Sequence, residues 1–349
     1  MRNSSLHATV LCGAACLAFS VVSSLAGAES SLAGTGSSPA GAESSRAGTG
    51  NSARVVTYQH EEQTFYALSL VPEEGVKHNE AASIVVLFDT SASQQGVYRE
   101  SALAALDAML ADLREVDRVE LLAVDLGVQP MTDRQVAPGS TELGTAVTKL
   151  RQQVPLGSTD LAVALHAAIE RLDKSEAGAG HDSGRNSELG QRSIVYIGDG
   201  ISIANLLDSQ TLEQVLSELR TSRTNVSSFA IGPKVDAQLL AVLANHTGGN
   251  LYVQSDRVWS GAAGGVSDEQ AQAENLHNAQ IAGKILAAWT SAAVFWPKSV
   301  DYAVELGKTY PAVMPPLRSD RDTILIGSTG SKLPESVKLS LEAIGPQGP

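Results

Sequence analysis

Three short segments carry oxygen donors in a pattern that suits a hard divalent cation. Asp89-Thr90-Ser91-Ala92-Ser93 follows an apolar run as D-x-S-x-S. Gly157-Ser158-Thr159-Asp160 precedes a helical pattern, and Gly198-Asp199-Gly200 follows a second apolar run. Mg²⁺ or Mn²⁺ takes about six oxygen ligands at short, near-octahedral distances. Alternate residues Asp89, Ser91 and Ser93 can aim three oxygens at one point. Thr159 adds a further hydroxyl and Asp199 a second carboxylate, with waters held by the two aspartates completing the shell. Hydroxyls are neutral donors, so the ion stays electron-poor and seeks an anionic ligand from outside. That chemistry suits adhesion better than hydrolysis.

The elements around these segments alternate. Ile84–Phe88 is a continuous apolar run, as expected for a strand buried on both faces. A helical spacing covers Tyr98–Leu113, followed by a strand at Val119–Val124 and a helix at Asp160–Leu172. A strand at Ser193–Ile197 leads to a helix over about Leu212–Arg220. A strand at Val226–Ile231, a helix at Ala237–Ala244 and a short strand at Leu251–Val253 follow. The order predicts an α/β fold, a doubly wound, mostly parallel sheet covered on both faces. Ligands of such sheets bind beyond the C-terminal ends of the strands, where all three donor segments fall. Lys174–Gln191, with His181 and Asp182, is a polar Gly-rich stretch at the opposite end, expected as a surface loop.

Asp89-x-Ser91-x-Ser93, Thr159 and Asp199, in this order within an alternating α/β pattern, resemble the von Willebrand factor type A domain with its metal-ion-dependent adhesion site. The resemblance covers about Ala82–Val253 and implies a Rossmann-like sheet. It also implies that Ser91, Ser93 and Thr159 coordinate the metal, that Asp89 and Asp199 bind it directly or through water, and that an acidic side chain of a protein partner fills the open position. Ala92 stands where many members have Gly.

Enzyme chemistries fit the same residues less well. A haloacid-dehalogenase phosphatase needs a second acid two residues after the first, where this chain has Ser91. A response-regulator receiver wants an acidic cluster near its strand ends, and none precedes Asp89. Gly200-Ile201-Ser202-Ile203-Ala204 approximates a G-x-S-x-G nucleophile elbow, with Asp236 and His246 in the right chain order for a serine hydrolase. Both partners, however, fall in one helix-and-turn unit. No P-loop, dinucleotide-binding glycine fingerprint or H-E-x-x-H occurs. The expectation is a binding protein rather than an enzyme, with a structural module whose metal staples loops as the alternative.

The flanks are β-rich. Val55–Tyr58 and Phe65–Leu70, joined through polar His60-Glu61-Glu62-Gln63, predict a hairpin. Asp268–Phe295 reads as a long helix, too short in its apolar part to span a membrane. Strands are expected at Val300–Leu306, Thr323–Gly327 and Ser336–Ala343, with Pro311, Pro315 and Pro316 forcing a loop or edge between them. Two β flanks around an α/β insert suggest a smaller β-sandwich-like unit.

The ends read differently. Arg2, an apolar run over about Ala8–Val22 and Ala26-Gly27-Ala28 fit a signal peptide over 1–28. A membrane anchor and a lipobox at Cys16 are the other readings of this segment; Gly13 stands where a lipobox usually has Leu. AGAESSLAGTG and AGAESSRAGTG then repeat, so 29–53 is expected as a disordered low-complexity linker. The remaining expected divisions are an N-terminal β segment at 54–81, the type A domain at 82–255, linker and helix at 256–297, a C-terminal β segment at 298–344 and a tail at 345–349.

Composition agrees with these readings. The chain has 349 residues, 43% of them hydrophobic, and carries 38 acidic against 25 basic residues for a net charge of −13. That excess argues against nucleic acid as a partner. Both cysteines, Cys12 and Cys16, lie in the expected leader, whose removal excludes a thiol enzyme or Cys-based zinc site in an exported chain, whether secreted, periplasmic or on the cell surface. Asn225-Val-Ser227 and Asn245-His-Thr247 fit the glycosylation pattern.

Overall fold

The computed structural model describes residues 15–22, 52–72, 80–178, 190–205, 207–254, 268–330, 333 and 336–345. Along the chain run β1 (Ala15–Val22), β2 (Ser52–His60), β3 (Gln63–Val71), β4 (Ser83–Asp89) and α1 (Val97–Asp112). Then come β5 (Arg118–Val124), β6 (Val128–Pro130), α2 (Thr141–Gln152), α3 (Leu161–Gly178) and β7 (Arg192–Gly198). These are followed by α4 (Ser209–Thr221), β8 (Thr224–Ala230), α5 (Ala237–Thr247), β9 (Leu251–Val253) and α6 (Asp268–Ser291). The last are β10 (Val294–Tyr302), β11 (Lys308–Tyr310), β12 (Leu317–Arg318), β13 (Thr323–Thr329) and β14 (Ser336–Ile344). They divide into two compact units, Met1–Val76 with Pro297–Ala343, and Lys77–Trp296 with Ile344–Pro349.

The larger unit is the expected doubly wound α/β fold. Its sheet has the order β6-β5-β4-β7-β8-β9, with every pairing parallel except the edge pair β5–β6. Strand β4 is buried along almost its whole length because both faces are covered. Ile84, Val86 and Phe88 pack with Leu106 and Met109 of α1, Leu150 of α2 and Leu286 of α6. Val85 and Leu87 face the other way, with Leu165 of α3, Leu219 of α4 and Leu240 of α5. The chain leaves β4 for β5 on one side and returns to β7 on the other. The order therefore reverses between β4 and β7, which opens a crevice beyond their C-terminal ends.

Several details depart from the sequence-based expectations. Helix α6, expected as a helix outside the type A domain, buries Ala279, Ala282, Leu286 and Ala287 in the same core as α1. It stops at Ser291, and Val294 and Phe295 begin β10 instead of ending the helix. Pro297 is consistent with this, since it pushes Trp296 toward extended backbone and has no N–H with which to continue a helix. The strand expected at Val300–Leu306 ends at Tyr302, and Val304–Leu306 form a 3₁₀ turn. Strand β6 and helix α2 had no counterpart in the sequence reading. Lys174–Gly178 continue α3, while His181 and Asp182 lie outside the described residues.

The smaller unit contains two four-stranded sheets, β1-β14-β10-β12 and β11-β13-β3-β2. The expected hairpin forms, with β2 and β3 antiparallel and Glu61 at φ 53° in the turn, so His60-Glu61-Glu62 is a turn. Leu68, Leu70, Leu325, Leu339 and Leu341 are buried within this unit. Residues 15–22, inside the expected leader, form β1 and pair along their length with β14.

Candidate metal centre

Three loops converge at the crevice, and backbone hydrogen bonds hold them together. Ala92 N–H donates to the Gly157 carbonyl at 3.0 Å, and Leu156 N–H to the Thr90 carbonyl at 3.0 Å. Ala204 N–H donates to the Thr159 carbonyl at 3.4 Å. This brings Asp89, Ser91, Ser93, Thr159 and Asp199 together, although they come from separated parts of the chain.

Asp89 lies at the bottom, 1% exposed. Its Oδ1 accepts from Ser91 N–H at 2.8 Å, and Thr159 Oγ1 reaches both carboxylate oxygens at 3.0 and 3.1 Å. The Ser91 and Ser93 hydroxyls are 3.0 Å apart. Asp199 Oδ1 accepts from Ile201 N–H at 2.9 Å, and Ser93 also bonds this carboxylate. Burial pushes both carboxyls above their ordinary range, although their hydrogen bonds pull the other way. A dication favours the charged form of carboxylates buried in this way.

The sequence reading missed Tyr196. Its hydroxyl donates to Asp89 Oδ2 at 2.8 Å and accepts from Gly200 N–H at 3.1 Å. Burial first, and then the two nearby aspartates, raise its own pKa well above the usual tyrosine value, so it stays a donor. The signal was a tyrosine within the apolar run Ile194–Ile197 of a strand buried on both faces, whose hydroxyl had to find a partner. Gly198 makes this approach possible, since a Cβ there would stand 2.5 Å from the Asp89 Cβ and from the Tyr196 hydroxyl.

Above the donors is a cleft of about 320 Å³. Ser91, Ser93, Thr159 and Asp199 line it, with Ala92, Ile201, Ile203, Pro233 and Lys234 around them. Among the described residues no three His, Cys, Asp or Glu side chains gather to hold a metal, so hydroxyls must supply much of any coordination. Two carboxylates, three hydroxyls and open space for a further ligand fit Mg²⁺ or Mn²⁺ by donor type.

The hydrolase arrangement does not form. Ser202 is buried, accepts from Leu161 N–H at 3.1 Å and donates to the Asn205 carbonyl at 2.7 Å, so it caps α3. Asp236 caps α5 through Leu239 N–H at 2.9 Å. His246 sits at the far end of that helix, bonded to Arg220. Asn225 is no glycan acceptor in the folded chain, because it is 1% exposed and its amide donates to Arg192 and Ser193.

Residues 82–253 match the family described as von Willebrand factor type A domain. The chain is 27% identical over 186 residues to inter-alpha-trypsin inhibitor heavy chain H1 of Sus scrofa, covering 53% of this chain and 20% of that protein. To heavy chain H2 of the same species it is 23% identical over 167 residues, covering 48% and 17%. It thus spans about a fifth of the length of these relatives. Among solved structures, the von Willebrand factor type A protein from Catenulispora acidiphila shares the fold, with a TM-score of 0.50 and 12% identity over 84% of this chain and 65% of that one. Residues 82–253, just under half of the chain, thus form a von Willebrand factor type A domain.

Proposed function

We propose that the chain is an exported, non-enzymatic binding protein that captures an acidic group of a protein partner through Mg²⁺ or Mn²⁺. Asp89, Ser91, Ser93, Thr159 and Asp199 would hold the ion, which supplies a positive charge at a point of an otherwise acidic molecule. The observation that carries this reading is the convergence of three hydroxyls and two carboxylates under an open cleft. Tyr196 and the Ser91 N–H orient Asp89, while Ile201 N–H orients Asp199.

The alternative, an envelope module in which the metal only staples loops, is disfavoured because backbone hydrogen bonds already join these loops. Export rests on the leader-like 1–28. Among the described residues, no helix is long and apolar enough to cross a membrane. Cleavage after Ala28 would remove β1 and leave β14 without that neighbour.

Calorimetric titration with Mg²⁺ and Mn²⁺ tests the site. The expected outcome is saturable binding that Ser93→Ala weakens by about tenfold or more, with the circular dichroism spectrum unchanged. Absence of binding by the wild type at millimolar metal overturns the reading.

A further inference from the structure

The outer face of the sheet β11-β13-β3-β2 is apolar where solvent should meet polar side chains. By register, Val56, Ala67, Ile326 and Tyr310 form one row straight across all four strands. Tyr58 and Phe65 pair in the adjacent row, and Ile324 lies opposite Ser69 on the other side. Exposure is 70% at Val56, 66% at Tyr58, 56% at Ile326 and 54% at Tyr310. A solvated face of an antiparallel sheet normally alternates toward polar residues, and a continuous run such as Ile324-Leu325-Ile326 marks a strand covered on both sides. Here Leu325 is buried, while the isoleucines on either side of it are bare.

We propose that this face is the contact surface between two copies of the chain, packed sheet to sheet. Two observations favour a second copy as the occupant. The first is size. Six large side chains exposing on the order of 100 Å² each give roughly 600 Å² per copy, so two faces with their rims reach the about 1,200–2,000 Å² of a stable interface.

The second is charge. The molecule carries −13 overall, which opposes self-association wherever the acidic surface is presented. On this face the charge is balanced, because Arg54 pairs with Asp322 at 3.3 Å and Ser69 donates to the same carboxylate at 2.5 Å. Lys308 adds one positive group at the rim, next to Ser328. Two like faces can therefore meet without the repulsion that the rest of the surface imposes. A second copy related by a two-fold axis would meet this face with the same apolar rows, as an isologous contact requires.

Light scattering coupled to size-exclusion chromatography of the full chain, from nanomolar to high micromolar concentration, tests this. The expected result is a dimer that Ile326→Lys and, separately, Tyr58→Glu convert to monomer with the circular dichroism spectrum retained. Both positions are exposed, so neither change disturbs a buried contact. A wild type that stays monomeric throughout overturns the proposal, as does a dimer that survives both substitutions or an open-ended series of larger species. A monomer that instead adsorbs to another protein or to lipid vesicles through this face also overturns it.

Discussion

Asp89 is held in place before any ion arrives, because Ser91 N–H, the Thr159 hydroxyl and the Tyr196 hydroxyl all aim at one carboxylate. Tyr196 does more than fill space, since the same hydroxyl also accepts the Gly200 N–H of the loop that carries Asp199. It therefore ties the two acidic loops together. Tyr196→Phe removes that tie with little change of volume and leaves a buried N–H and a carboxylate oxygen each short of one partner. The expected cost is about 1–3 kcal/mol of stability in denaturant unfolding, together with weaker Mg²⁺ binding by calorimetry. If both measurements match the wild type, the hydroxyl is not positioning the site.

Between elements, the contact of α4 with α5 contains a group that responds to pH. The Arg220 guanidinium bonds both the Nδ1 and the carbonyl of His246, so the ring must accept through Nδ1 and stay neutral. Burial, and then the Arg220 charge, hold this imidazole below its ordinary 6.5. The folded chain resists a proton that the unfolded chain takes, so this contribution to stability is present above about pH 6.5 and is lost as the pH falls. Thermal midpoints of the wild type and His246→Gln should converge or cross as the pH drops from about 8 to 5, because glutamine can accept from Arg220 without titrating. Parallel curves would exclude His246 as the titrating group.

The elements also show how far the sequence could be read. Strands such as β4 and β7 announce themselves because burial on both faces demands unbroken apolar runs, and the five donors stand out because each sits at a strand or helix boundary. Helix α2 does not, since only Leu143, Ala146 and Leu150 are buried, Val147 is partly so, and most of the remainder is polar. Its real signal was local: Ser140 caps Leu143 N–H, and Lys149 and Arg151 lie in the last turn. Tyr196 was readable as a strand residue but not as a partner of Asp89, because that bond joins two neighbouring parallel strands and depends on Gly198 leaving room. The membership of α6 in the α/β core is likewise a tertiary fact. It depends on small residues, and a Cβ at Gly283 would stand only 2.8 Å from the Ala108 Cβ on α1.

At the scale of the whole molecule, one unit is built from the long stretch Lys77–Trp296 with the short end Ile344–Pro349, and the other is assembled from the two flanks. Lys77–Trp296 contains the entire six-stranded sheet, the helices on both of its faces and all five donor residues. Every contact that orients Asp89 and Asp199 is internal to it. A fragment of that span has its own core and is of a size at which single domains fold alone. The N-terminal flank up to Val76 is in a different position, because without β13 its described part after β1 is a two-stranded hairpin, which is marginal in water. The prediction is that the 77–296 fragment unfolds cooperatively and binds Mg²⁺ within a few-fold of the full chain, whereas the 1–76 fragment shows no cooperative transition. Mg²⁺ at about 100 times its dissociation constant should then stabilise the fragment by about 2.7 kcal/mol, and the same unit in the full chain by as much. A fragment that folds but does not bind the ion, where the full chain does, would overturn the placement of the whole site within this unit. A fragment that does not fold would mean that the α/β unit depends on the flanks for its stability.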